Sequence, residues 1–248
     1  MKKVLFVLLA CALAGMLSSC FLIPALLTDT SSTEASAEIT QDIPSVESEE
    51  DGAVELPESE APPTEAAINY TAELTSGYYT AGVDFPAGKY DIEAISGGGN
   101  VISSNAFSGG INAILGTEDK GDMYEQLYSN IDLPEGEVLS VSGVKIRISS
   151  DKASGSPLSI REQPNTETIP LGNGNFVAGE DFPEGVYDVV AVEGGGNVTS
   201  DNAFEGGINA IMGTQQDDMY EKAYKNVSFP SGTVLTVDGV KIELIPSK

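Results

Sequence analysis

The chain writes one glycine-laden passage twice. GGGNVISSNAFSGGINAILG begins at Gly97, and GGGNVTSDNAFEGGINAIMG begins at Gly194. Laid on itself, the chain aligns Leu74 with Leu171, Gly82 with Gly179 and Gly116 with Gly213. With the offset one residue shorter, Met123 then meets Met219 and Val144 meets Val240. Over half of roughly 75 aligned positions are identical, and self-similarity on that scale means two copies of one folding unit. Residues 70–149 and 169–248 are therefore predicted as two tandem homologous domains. Residues 150–168, which carry DKASGSP and EQPN, read as the linker between them.

Inside each copy the apolar period is two. Val240, Ile242 and Leu244 alternate with Lys241 and Glu243, as Val144, Ile146 and Ile148 alternate with Lys145 and Arg147. That is the pattern of a strand with one face buried. Asp238-Gly239, and Ser142-Gly143 in the first copy, predict type I′ hairpin turns. Residues 181–185 predict a turn between FVAG and VYDVVAV, and Pro86 and Pro183 mark positions that need no ladder donor. Runs rich in Tyr, Val and Ile, broken by turn residues about every ten positions, predict an all-β class: a small sandwich or partly open barrel in each copy.

The repeated passage itself lacks the third glycine of GxGxxG, a following amphipathic helix and a P-loop lysine, so it is no phosphate cradle. It reads instead as glycines at strand ends, allowing bulges and close backbone approach. On that reading Phe107, Ile111 and Ile114, with Phe204, Ile208 and Ile211, plug the two cores. A ligand-lining loop is the alternative. INAI is a short strand or one helical turn; so short a run does not decide.

Four acids recur in both copies: Asp84/Asp181, Asp91/Asp188, Asp122/Asp218 and Glu125/Glu221. A carboxylate pair hydrolyses glycosides, but a domain of about 75 residues has little room for both a core and a deep cleft. Asp84 and Asp181 suit turn bonds to backbone. Calcium is an alternative, suggested by Asp201-Asn202 and Gln215-Gln216-Asp217-Asp218, although no D-x-D-x-D-G loop is present. The chain has no His and no Trp, which removes His-based nucleophile activation. No catalytic, metal-binding or cofactor-binding residue is assigned, and the chain is expected not to be an enzyme. Tyr78, Tyr79, Tyr124, Tyr128, Tyr220 and Tyr224 are candidate sugar platforms, with core or edge packing as the alternative. The pairs Tyr124/Tyr128 and Tyr220/Tyr224, four apart, would share one face of a short helix.

The first residues give an address. Lys2-Lys3 precede an apolar run from Val4 to Leu13, the pattern of a secretory signal. The following Leu17-Ser18-Ser19-Cys20 resembles the lipobox of bacterial lipoproteins. The resemblance implies cleavage after residue 19 and a diacylglyceryl group on Cys20. An uncleaved span from Val4 to Leu27 is the alternative, interrupted by Ser18-Ser19. Cys11 is the only other cysteine and leaves with the signal, so the mature chain can form no internal disulfide. Residues 20–69 follow as a lipid-anchored, acidic tether, rich in Ser, Thr, Glu and Pro and without Lys, Arg or Trp. Such composition predicts disorder, with an average reach of about 35 Å for roughly 40 residues. A net charge of −26 excludes nucleic acid as a partner.

The motifs AG-x-DFP-x-G-x-Y, GGGN and the closing P-x-G-x-x-L-x-V-x-GVKI together resemble a domain of secreted proteins and lipoproteins of Gram-positive bacteria. The resemblance implies an extracytoplasmic β domain and carries over no functional residue. The expectation is a lipoprotein on the outer face of the cell membrane, presenting tandem β domains as a non-catalytic binding or adhesion module. Its partners would be the membrane, through the lipid, and cell-wall glycan or an envelope protein. Duplication favours binding, since two weak sites on one chain gain through effective concentration. A purely structural envelope spacer is the alternative, and a calcium-binding protein or glycan-active enzyme a weaker one.

Overall fold

A computed structural model describes residues 66–117, 123–215 and 219–248. These residues form an all-β structure without a helix. The first repeat supplies β1 (Ile68–Leu74), β2 (Gly77–Thr80), β3 (Gly88–Ser103), β4 (Asn112–Gly116), β5 (Leu127–Leu133) and β6 (Val138–Ala153). The second supplies β7 (Ile169–Leu171), β8 (Gly174–Val177), β9 (Gly185–Ser200), β10 (Asn209–Gly213), β11 (Ala223–Phe229) and β12 (Val234–Pro246).

Each repeat is built on one antiparallel pair of long strands, β3 with β6 and β9 with β12. Along its other edge β3 pairs first with β5 and then with β4, while β6 pairs with β1 and then with β2. The second repeat follows the same plan: β9 carries β11 and β10, and β12 carries β7 and β8.

The predicted hairpins do not form. β6 runs unbroken through Ser142-Gly143, and β12 through Asp238-Gly239. Val237 faces Val198 and Val240 faces Gly194, both on β9, so the Asp-Gly pair interrupts a ladder instead of reversing the chain. Only Gly143 (φ 76°) and Gly239 (φ 78°) take the left-handed backbone there, one position where a type I′ turn needs two. The result is a β-bulge. Nor do the strands around residues 181–185 pair with each other: β8 joins β12, and Ala178 and Phe182 meet only in a bridge. The glycines are also not at strand ends. Gly97–Gly99 and Gly194–Gly196 lie in the middle of β3 and β9, directly across from the Gly143 and Gly239 bulges.

Two facing bulges change which residues of each strand are buried. In β3 the inward residues are Tyr90, Ile92 and Ala94 before the glycines, then Val101 and Ser103 after them. In β6 they are Leu139 and Val141, then Val144, Ile146 and Ile148. Both strands thus slip one residue in phase at the same level, where an unbulged strand would turn its second half outward. All the apolar members belong to one core cluster, so both halves of the ribbon turn the same face to it, as in a sandwich. β9 and β12 repeat the slip around a second cluster. The glycines are what allow the crossing. A Cβ on Gly97 would come within 3.0 Å of Gly143 O, and one on Gly99 or Gly196 would collide with the backbone carbonyl of Ser142 or Asp238. Gly98 and Gly116 make room for the Tyr124 ring, as Gly195 and Gly213 do for Tyr220.

Each core is sealed near its Phe-Pro corner. Tyr90 donates its hydroxyl to Pro86 O at 2.5 Å and Tyr187 donates to Pro183 O at 2.7 Å. Phe85 meets Tyr90 edge-on at 5.5 Å, and Phe182 meets Tyr187 in the same way at 6.2 Å.

The bulge account predicts a sharp difference between two glycines of the second repeat. Gly196→Ala forces a methyl into the β12 backbone and should cost on the order of 1–3 kcal/mol. Gly172→Ala meets nothing within 4 Å and should change stability by less than about 1 kcal/mol. Thermal unfolding of both variants checks the pair.

Candidate binding cleft at the junction of the repeats

The two cores are joined by a narrow polar seam. Lys225 N–H of β11 donates to Ser76 O at 2.9 Å, and among the described residues this one β11–β2 bridge links the strands of both repeats into one mixed sheet. Tyr78 packs its ring against Tyr224 at 5.7 Å and joins the second repeat's core. Glu221 accepts the Gly143 N–H at 3.1 Å. Burial, reinforced by Tyr78, pushes the Tyr224 hydroxyl well above the ordinary tyrosine range. A Cβ on Gly77 would lie 2.6 Å from Lys225 Cβ, so the seam closes only over a glycine.

Asp84 anchors this seam. It accepts Thr80 N–H at 2.7 Å and is gripped by both guanidinium nitrogens of Arg161, at 2.9 and 2.5 Å. Asn226 of the second repeat donates to it at 3.2 Å. Burial raises the Asp84 carboxyl, opposed by the Thr80 N–H, Arg161 and Asn226. Asp188 continues the network, accepting Asn226 N–H at 3.1 Å and pairing with Lys225 at 2.6 Å. Arg161 and Gln163 come from the segment predicted as a linker. Gln163 binds Val186 O and Ser247 O at 3.0 and 3.1 Å, and Ser159 N–H donates to Gly82 O at 2.8 Å. The segment is therefore a strap over both repeats. The sequence signal for it was present, because Arg161 is one of only two arginines in the chain.

Next to the seam lies a cleft of about 510 Å³, walled by Tyr78, Ile102 and Val138 on one side and by Val186, Phe204 and Asn226 on the other. Phe204 is fully exposed and Phe107, its counterpart, is 96% exposed. This corrects the expectation that both plug the cores. Ile114 and Ile211 are also on the surface, and Leu115 and Met212 take their place inside; only Ile111 and Ile208 are buried as expected. The reason lies in the turn that carries each phenylalanine. Asn202 donates to Ser228 O at 2.9 Å and its carbonyl accepts Glu205 and Gly207 N–H, while Ser200 Oγ accepts Ile208 N–H at 2.8 Å. Asn105 and Ser103 do the same around Phe107, to Asp132 O at 2.7 Å and from Ile111 N–H at 2.8 Å. The turns are closed by these bonds, with the phenylalanine ring on the outside. The INAI segment is strand, and its period of two puts Leu115 inward and Ile114 outward.

The other candidates sort into structural roles. Asp181 accepts Val177 N–H at 2.8 Å, so Asp84 and Asp181 both make the predicted turn bonds. Asp91, like Asp188, holds the N–H of a left-handed asparagine: Asn130 (φ 61°) and Asn226 (φ 56°). Glu125 is exposed, whereas Glu221 serves the seam. Asp201 accepts Val234 N–H at 3.1 Å, a fold contact. Tyr79 and Tyr224 are buried, Tyr124 and Tyr220 lean on glycines, and Tyr128 is exposed. The shared helical face does not exist, because Leu127 and Ala223 already open strands. Cys20, Asp122, Gln216, Asp217 and Asp218 lie outside the described residues. Among the described residues no three His, Cys, Asp or Glu side chains converge as a metal site. What the cleft offers is contact chemistry: aromatic and aliphatic faces, with the Asn226 amide at their edge.

Compared with known proteins, the chain matches no family model, no curated protein and no solved structure.

The exposed phenylalanine gives a direct test. Phe204→Ala should leave the melting midpoint within the range of a surface change, about 0.5 kcal/mol. Ile208→Ala, four residues on and buried, should cost about 2–5 kcal/mol.

Proposed function

We propose that this chain is a lipid-anchored, extracytoplasmic binding protein that presents two tandem β domains, without catalysis, to uncharged cell-wall glycan. The observation that carries the reading is the pair Phe107 and Phe204. The same hydrogen-bonded turn places each almost wholly in solvent. Exposing a large aromatic group gives up the roughly 1.5–3 kcal/mol that burial would return, and neither ring packs on the core. A ring held on a fixed turn is a stacking platform for the apolar face of a sugar. The strongly acidic chain disfavours anionic ligands, which leaves neutral glycan as the best match. Two such platforms on one chain would act through effective concentration.

Sedimentation of the full mature chain with purified cell-wall glycan tests this. Binding should fall at least tenfold in the Phe107→Ser/Phe204→Ser double variant, equivalent to about 1.4 kcal/mol, with the melting midpoint unchanged. A chain that does not sediment with glycan, or a double variant that binds as well as the parent, would leave the envelope-spacer reading in its place.

The lipid anchor rests on the lipobox-like Leu17–Cys20. Cys20→Ala should move the chain from the membrane fraction to the soluble fraction, since two acyl chains would supply the stable attachment. Membrane retention of the processed variant would contradict the anchor.

A further inference from the structure

The seam between the repeats uses one face of the first repeat and one edge of the second. Because the repeats are copies, the first has the same edge and the second the same face, and among the described residues no further strand pairs with either. We propose that they join between molecules, so that the chain assembles head to tail, the β5 edge of one copy docking on the β8 face of the next.

The used edge is β11, where Lys225 N–H pairs with Ser76 O, Tyr224 is buried and left-handed Asn226 donates to Asp84. The unused edge is β5. Ser129 and Asn130 occupy the same places, Asn130 has the same left-handed backbone, and its N–H is held by Asp91 as that of Asn226 is by Asp188. Its side-chain amide has no partner among the described residues. Beside it Leu127 is 55% exposed and Tyr128 41% exposed, whereas Tyr224 is only 6% exposed. An uncovered strand edge with exposed apolar side chains is a template for another strand. The matching face on the second repeat is Asn173, Gly174 and Asn175, in the places of Ser76, Gly77 and Tyr78. Gly174 (φ 156°) keeps the backbone of Gly77 (φ 153°), and Asp181 makes the same turn bond as Asp84. The Phe176 ring, 3.1 Å from a Cβ placed on Gly174, takes the space that Lys225 fills over Gly77, so this ring swings aside when the edge docks. Asn175 is exposed. The occupant is therefore a second copy of this chain, because the internal seam already shows the joint. Such a contact is heterologous, so each added copy leaves a free edge and a free face.

Sedimentation velocity of the full chain carrying Cys20→Ala, in salt high enough to screen its acidity, tests the proposal. The average mass should rise with concentration without stopping at the dimer. Tyr128→Glu and Asn175→Glu, both at exposed side chains, should each weaken association at least tenfold without moving the melting midpoint. Mixing the two variants should restore dimers and nothing larger, since one keeps its face and the other its edge. A chain that stays monomeric up to about 1 mM, a symmetric dimer that the mixture does not restore, or association unaffected by either variant would overturn it.

Discussion

Everything in this protein depends on two glycine-lined bulges facing each other across one strand pair. A regular antiparallel ribbon buries alternate residues in one unbroken series, whereas the buried series of β3 and β6 shifts by one residue midway. The slip at Gly97–Gly99 and Ser142-Gly143 exchanges the inward set halfway along each strand. The backbones approach so closely there that the carbonyls of Ser142 and Asp238 leave no space for a side chain on Gly99 and Gly196. The four short strands of each repeat then have two half-ribbons to complete, and one cluster of side chains fills the space between them.

The seam between repeats obeys a different economy. It is polar and small, held by Asp84, Arg161, Asn226 and Lys225, with Tyr78 on Tyr224 as its apolar part. A buried carboxylate of this kind contributes modest stability but strict geometry, since every oxygen has an assigned donor. That geometry sets the cleft that Tyr78, Ile102 and Phe204 line. Packing makes the repeats, and the polar strap sets how they meet.

Much of this was legible in the sequence. The duplication, the β class, the alternation of Val240, Ile242 and Leu244, and the turn role of Asp84 and Asp181 all follow from spacing and residue type. The Asp-Gly pair misled because a type I′ turn and a bulge both need left-handed glycine; only the partner strand distinguishes them, and that partner is some forty residues away. Phe107 and Phe204 misled because hydrophobicity alone predicts burial, while the bonds of Asn105 and Asn202 that turn the ring outward are long-range. Arg161 and Gln163 stood in a segment with linker composition, and their partners lie in other elements.

The central claim is that the Asp-Gly and GGGN segments are facing bulges within continuous strands. Nuclear Overhauser contacts of Val237 in the isotopically labelled full chain test it most directly. Val237 is expected to show cross-strand contacts to Val198, its register partner on β9. A hairpin turning at Asp238-Gly239 would instead pair Val237 with Val240, and strong cross-strand contacts between those two residues, without contacts to Val198, would contradict the account.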